Sequence, residues 1–151
     1  MSEDATQLTT QESTIPRWFT IAMIVALVWN LMGVLAFVGQ IVMTPEQLAQ
    51  LPADQQALHA KTPMWANAAF GIAVISGFLG CIAMLMKKQL AVQLFAVSIA
   101  GVIAQMFHAF FISNSYEVFG PSGLVMPLTV MAIAVFLLLF AKRSQANGWI
   151  R

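Results

Sequence analysis

Polar side chains recur at helical spacing within the apolar part of residues 87–117. Ser98, Gln105 and His108 follow one another at intervals of seven and three residues, so on a helix they share one face. Histidine changes its charge within the physiological pH range, and hydroxyl and amide groups both donate and accept hydrogen bonds. Such a face would suit binding a polar solute or passing a proton.

Further polar residues are expected at the same end of the neighbouring helices. If the first three apolar stretches pack together, these groups converge on a polar pocket that opens to the outside. The candidate solute-binding or helix-bridging residues are Asn30, Gln40, Asn67, Ser98, Gln105, His108, Tyr116 and Glu117.

Each candidate also has a purely structural interpretation. His108 lies about four residues from the predicted helix end, roughly 6 Å by helical rise, where a histidine can hydrogen-bond to lipid headgroups or to a loop carbonyl. Asn30 is typical of an interhelical hydrogen bond. Gln105 lies deeper, and both interpretations stay open for it.

The opposite side of the same helix predicts a lipid-facing surface. It carries apolar side chains alone, among them Phe95, Val102 and Phe107. Since lipid does not compensate a polar side chain, we expect this side to face the bilayer.

The sequence lacks the motifs of hydrolytic, phosphate-binding, metal-dependent and dithiol chemistry. There is no HExxH motif, nucleophile elbow or phosphate-binding loop, and His59 and His108 are too few for a zinc site. The single cysteine, Cys81, excludes a dithiol mechanism. The ten methionines fit adaptable packing better than a copper path. We therefore expect no enzyme, no metal and no cofactor.

The composition places the chain among membrane proteins. Of its 151 residues 60% are hydrophobic and 9% charged, against about 25% charged in soluble domains. The net charge of +1 gives no indication of nucleic acid as a partner. One compact membrane domain is expected.

Four apolar runs predict an all-α, polytopic membrane protein, a four-helix transmembrane bundle. The expected spans are 18–43, 63–86, 90–112 and 124–141, within a membrane domain of residues 18–141. Small residues in the second span predict the packing helix of the bundle: Ala66, Ala69, Ala73, Ser76, Gly77 and Gly80. The fourth span has Thr129 as its only polar group and is expected to be peripheral.

Lysine and arginine predict the orientation, because basic residues accumulate in cytoplasmic loops. Six of the seven fall on one side of the predicted membrane, and only Lys61 falls on the other. Both termini should therefore be cytoplasmic, as a disordered tail at 1–17 and a tail at 142–151. Trp18, Trp149 and Trp65 are expected at the interfaces as amphipathic anchors.

The outer loop at 44–62 predicts one or two short helices broken at Pro52. Thr44, Pro45 and Gln47 form a capping-box pattern, and Thr62-Pro63 predicts the start of the second span. The loop would serve as a simple cover or as a lid.

Four segments carry a resemblance to a known family. They are LVWNLMGVLAF, QLPADQQALHAKTPMWANAAFGIAV, GFLGCIAMLMKK and NSYEVFGPSG. Together they resemble small four-span inner-membrane proteins of Gram-negative bacteria that often carry the automatic label of sugar transporter. The topology is also similar to that of DoxX-like proteins. The resemblance implies a multi-pass protein of the bacterial inner membrane and supplies no catalytic residues.

Two functions follow as hypotheses. The first is a protein that binds or transports a small polar solute through the outward-facing polar cluster, as a homo-oligomer, since four spans are few for alternating access. The alternative is a non-enzymatic accessory subunit whose faces dock a larger membrane-protein partner. In both cases the lipid bilayer is the immediate surrounding.

Overall fold

The computed structural model of the protein describes residues 14–151, and over this range it contains helices and no strand. Most of the tail predicted at 1–17 lies outside the described residues. The elements are α1 (Arg17–Ile41), α2 (Pro45–Ala49), α3 (Ala53–Lys61), α4 (Met64–Leu85), α5 (Leu90–Phe107), a π-helical turn (His108–Ile112), α6 (Ser115–Phe119), a 3-10 turn (Pro121–Leu124) and α7 (Val125–Ala146).

Four of these elements are long and apolar enough to cross a membrane, which confirms the predicted all-α fold with four helices that could span a bilayer. They comprise α1, α4, α5 with its π-helical turn, and α7 with the preceding 3-10 turn. The predicted limits agree with α4 to within one residue at each end. The fourth helix continues past the predicted end at 141 to Ala146, because polar residues extend it beyond its apolar run.

Helix α4 is the central helix of the bundle. It packs against α1 and α5, and α5 packs in turn against α7. The six small residues named above are all buried in α4. At the α4–α5 contact, a Cβ added to Gly101 would lie 2.8 Å from the carbonyl oxygen of Ala69 and 3.0 Å from Cβ of Ala73. Glycine therefore permits the close approach of these two helices.

The prediction of a lipid-facing side on α5 is wrong for two of its residues. Phe95 and Val102 are both buried, because α5 is covered by α4 on one side and by α7 on another. The ring of Phe95 lies against Gly80 of α4, where an added Cβ would be 2.7 Å from the ring. Phe107, on the same side, is exposed as predicted.

One end of the bundle, here called the basic end, holds the turn at Lys87 and Lys88. An aromatic cluster closes it: Trp18 lies 5.5 Å from Phe140 and 5.9 Å from Trp149 between ring centroids. The tryptophans expected as interfacial anchors thus also pack on each other.

The C-terminal residues fold back onto this end. The backbone N–H of Arg151 donates to the carbonyl of Lys87 at 2.9 Å, and that of Gln89 donates to the carbonyl of Arg151 at 3.0 Å. Between these residues and the bundle, Ile150 is fully buried. The tail expected at 142–151 is therefore packed, in part as the end of α7.

The other end, here called the loop end, is formed by residues 42–63 and 113–124. Thr44 and Gln47 make the predicted capping box of α2, and the break at Pro52 separates α2 from α3. Thr62 does not cap α4, because its hydroxyl donates to the carbonyl of Leu58 in α3. Pro63 occupies the N-cap position of α4 instead.

Candidate functional site

A cavity of about 330 Å³ lies inside the loop end, here called the loop-end cavity. Side chains from α1, α3, α4, α5, the π-helical turn and α6 line it. Its wall includes the polar side chains of Gln40, Gln55, His59, Asn67, Gln105 and His108. Four of the sequence candidates, Gln40, Asn67, Gln105 and His108, therefore lie on one cavity.

His108 is the most unusual group on this wall. It is only 5% exposed, and its Nε2 atom is buried without a hydrogen-bond partner among the described protein atoms. Trp65 packs edge-to-face against its imidazole, with 5.3 Å between ring centroids. Buried polar side chains are normally paired, so an imidazole nitrogen without a partner at this position is unusual.

The backbone at His108 departs from the expected α-helix. Residues 108–112 form a π-helical turn, in which the N–H of Ser113 donates to the carbonyl of His108 at 2.9 Å. Such wide turns inside helices are frequent at functional sites. Because His108 begins the turn, it follows the regular register of α5 and stays on the face of Gln105.

Gln40 and Asn67 form a direct pair on the opposite wall. The Nε2 atom of Gln40 donates to Oδ1 of Asn67 at 2.8 Å, and this bond joins α1 to α4. The amide oxygen of Gln40 and the amide nitrogen of Asn67 remain to accept from and donate to a ligand.

Asn30 and Ser98 lie deeper in the bundle and serve to join helices. Ser98 of α5 donates to the carbonyl of Ala73 in α4 at 2.7 Å. Asn30 donates to the carbonyl of Ala26 at 2.8 Å and contacts Sγ of Cys81 at 3.5 Å. Neither residue lines the loop-end cavity.

Tyr116 and Glu117 are not brought to the loop-end cavity. Both are exposed on α6, whereas Ser115 and Phe119 on the same helix line the cavity. Residues four apart share a face of a helix, so this face of α6 turns the other two residues away. Among the described residues, Glu117 accordingly makes no hydrogen bond to Nε2 of His108.

Helix α3 covers the loop-end cavity, and its residues are not among the eight sequence candidates for the site. Leu51, Gln55, Leu58 and His59 line the cavity. Leu51, just before α3, and Gln55 and Leu58 within it follow at intervals of four and three residues, which is the signal that one face of this short helix points inward. The loop at 44–62 therefore covers the site.

A second cavity, of about 360 Å³, lies between α1, α4, α5 and α7 and is here called the mid-bundle cavity. Its wall is mainly apolar, and its polar side chains are Asn30, Ser98 and Gln105. Helix α7, expected to be peripheral, contributes a face to it: Met126, Pro127, Val130, Ile133, Ala134 and Leu137. Phe70, Gln105 and Ala109 line both cavities.

The described residues contain no group of three or more His, Cys, Asp or Glu side chains placed to hold a metal ion. The loop-end cavity offers hydrogen-bonding groups to a ligand, and the mid-bundle cavity offers mainly apolar contacts. The fold and these sites define a helical protein with four helices long and apolar enough to cross a membrane and with two adjacent cavities.

Comparison with known proteins adds no further identity. No family model, curated protein or solved structure matches the chain.

Proposed function

We propose that this chain is a small membrane protein that binds an uncharged polar solute group in the loop-end cavity. The observation that carries the proposal is His108 on the wall of that cavity, whose buried imidazole has no hydrogen-bond partner at Nε2 among the described protein atoms. Leaving such an atom unsatisfied costs about 1–3 kcal/mol. A ligand that hydrogen-bonds to it recovers this free energy, which favours binding.

The rest of the wall favours an uncharged ligand. The described residues that line the loop-end cavity include no Asp, Glu, Lys or Arg. A charged group would enter this partly apolar space without a counter-ion, at a high desolvation cost. Hydroxyl or carbonyl groups, by contrast, fit the amides of Gln40, Asn67 and Gln105.

The location is the bacterial inner membrane, with the loop end facing outward. Six of the seven lysines and arginines lie toward the basic end or the termini, which supports this orientation by the positive-inside rule. The site would then lie toward the outer side of the membrane. Transport would further require the aromatic cluster at the basic end to open.

The test uses the fact that the chain has two histidines, His59 and His108. The full chain in nanodiscs is labelled with ¹⁵N-histidine, and each signal is assigned with His59→Gln or His108→Gln. Uncharged polyols, sugars and amides are then titrated. We expect at least one of these compounds to shift the His108 signal and to raise the melting temperature.

A matched pair of variants on α5 makes the test specific. Gln105→Leu removes an amide that lines the cavity, and Gln93→Leu removes an exposed amide outside it. Binding should weaken in the first variant and stay unchanged in the second. If no compound moves the His108 signal, or if both variants weaken binding alike, the proposed site is wrong.

The accessory-subunit hypothesis rests on the exposed surface of α1. Only Phe19 and Met23 of this helix are buried, so the remaining apolar surface is available to a partner helix as well as to lipid. Crosslinking in native membranes separates the two proposals. A stable second protein bound along α1, without any shift of the His108 signal in the titration, would favour the accessory role.

A further inference from the structure

The two cavities are neighbours that offer complementary chemistry. Phe70, Gln105 and Ala109 belong to both walls, so these side chains lie where the polar loop-end cavity adjoins the apolar mid-bundle cavity. The mid-bundle cavity, at about 360 Å³, lies within the range of about 300–1,000 Å³ that is usual for ligand pockets. One molecule with a polar and an apolar part would fill both.

The mid-bundle cavity faces the surrounding membrane between α1 and α7. Met32 of α1 and Met126 of α7 line it and are each 61% exposed. On its inner side the cavity ends at Phe95 and Leu137, which are buried. Its accessible side is therefore the gap between the two outer helices, at the level where lipid chains lie.

We propose that the group bound at His108 is the head of a single-chain amphiphile whose apolar chain lies in the mid-bundle cavity. This inference rests on the proposed function, since it identifies the ligand class of the same site. The molecule enters from the membrane between α1 and α7, and its head reaches the loop-end cavity past Gln105.

Two of the three polar residues of the mid-bundle cavity are already engaged with the protein. Asn30 donates to the carbonyl of Ala26, and Ser98 donates to the carbonyl of Ala73. With these donors satisfied, an apolar chain beside them leaves no donor hydrogen unpaired. The mid-bundle cavity is thus suited to hydrocarbon beside Asn30 and Ser98, and Gln105 lies where it adjoins the polar loop-end cavity.

The head must be uncharged and able to form hydrogen bonds, as in a hydroxyl or a carbonyl. No described Asp, Glu, Lys or Arg lines either cavity, which disfavours fatty acids and phospholipid headgroups. The length of the mid-bundle cavity also fits a single hydrocarbon chain. From Phe95 to Gln105 the wall extends about 15 Å by helical rise, which equals about half of a 30 Å hydrocarbon core.

The experiment uses a fatty alcohol with a photoactivatable group near the end of its chain, added to the full chain in nanodiscs. After illumination, crosslinked residues are mapped by mass spectrometry. We expect labelling in 29–36 of α1 and 126–137 of α7, lost on addition of unlabelled fatty alcohol. The corresponding fatty acid should fail to compete.

A matched pair of variants on α7 tests the chain-binding part. Val130→Phe fills the mid-bundle cavity, whereas Val135→Phe places the same ring on the exposed side of the helix. We expect labelling to fall roughly tenfold in the first variant, as for a loss of about 1.4 kcal/mol in affinity, and to persist in the second. Small polyols should still shift the His108 signal in Val130→Phe.

The outcomes separate the two proposals. Polyols that shift the His108 signal support the polar site. The amphiphile inference is nevertheless wrong if labelling is spread over the outer helix faces, if unlabelled fatty alcohol does not reduce it, or if Val130→Phe leaves it unchanged. If the fatty alcohol labels the cavity specifically without moving the His108 signal, the head does not bind there. The amphiphile inference then fails, whereas the proposed polar site is decided by the polyol titration alone.

Discussion

Gln40 and Asn67 are 27 residues apart in the chain, and their side chains are joined by a 2.8 Å hydrogen bond at the loop end. The bond fixes α1 against α4 beside the cavity that His108 also lines. It therefore links the stability of the bundle to the shape of the site.

The first prediction concerns the coupling between these two amides. Gln40→Leu and Asn67→Leu should each destabilise the protein, and the double variant should be less destabilised than the sum of the two. The coupling energy should be about 0.6 kcal/mol and at most about 1.7, the range found for interhelical hydrogen bonds in membranes. Unfolding in bicelles measures it, and strict additivity would contradict the bond.

The second prediction compares two glycines. An added Cβ at Gly101 meets the backbone of α4 at 2.8 Å, whereas Gly39 has no atom within 4 Å of that position. Gly101→Ala should destabilise by about 1–3 kcal/mol through overpacking. Gly39→Ala should be neutral or stabilise by up to about 1 kcal/mol, because alanine favours the helix. A similar effect of both variants on the melting temperature would contradict the close α4–α5 contact.

Much of this fold could be predicted from the sequence because lipid imposes strict rules on length and polarity. The spans, the capping box at Thr44 and the burial of small residues in α4 follow from such local patterns. The burial of Phe95 could not be predicted in this way. It depends on which helices neighbour α5, and a pattern that separates polar from apolar residues does not distinguish lipid from a packed helix.

The site was predictable only in part. The helical register placed Gln105 and His108 on one face, and that local geometry holds through the start of the π-helical turn. Tyr116 and Glu117 were placed near the site by their position in the sequence alone. Their true direction depends on α6, which follows a left-handed residue, Asn114 with φ of 49°, and turns them outward.

The third prediction concerns the closure of the basic end. Ile150 is 1% exposed beneath the C-terminal residues, whereas Ile112 is 55% exposed at the loop end. Ile150→Ala should destabilise by about 2–5 kcal/mol, as for a buried aliphatic side chain, and Ile112→Ala should have little effect. Hydrogen exchange at the amide of Arg151, which bonds to Lys87, should accelerate in the first variant alone. Unchanged protection there would mean that the tail does not close this end.

The fourth prediction concerns pH and the cap of α2. Hydrogen bonds from its own backbone N–H and from the Thr44 side chain lower the pKa of Glu46 below its ordinary value. The charged carboxylate therefore supports α2 at neutral pH, and the support is lost as the pH falls through the lowered pKa.

Chemical shifts of residues 45–49, recorded during an acid titration, measure this effect. Glu46→Gln should abolish the pH dependence. Thr44→Ala should bring the pKa of Glu46 closer to its ordinary value and also cost about 1 kcal/mol in helix capping. An unchanged titration of Glu46 in Thr44→Ala would contradict the contact between the two side chains.

The last prediction separates a structural His108 from a binding one. A structural histidine would lose a hydrogen bond on substitution, but Nε2 of His108 has no partner among the described protein atoms. His108→Phe keeps a ring against Trp65 and removes a buried unpaired nitrogen, so we expect the ligand-free protein to be equally stable or more stable by about 1–3 kcal/mol. Ser98→Ala, which removes a satisfied bond to Ala73, should instead cost about 1 kcal/mol.

Thermal unfolding in ligand-free nanodiscs compares the stability of the unsubstituted protein, His108→Phe and Ser98→Ala. His108→Gln serves as a second variant in case phenylalanine is too bulky for the site. A polar group kept in a buried site against stability is the usual sign of a functional residue. If both His108 variants are destabilised as much as Ser98→Ala or more, the imidazole is part of the structural framework, and the proposed binding role would have to be abandoned.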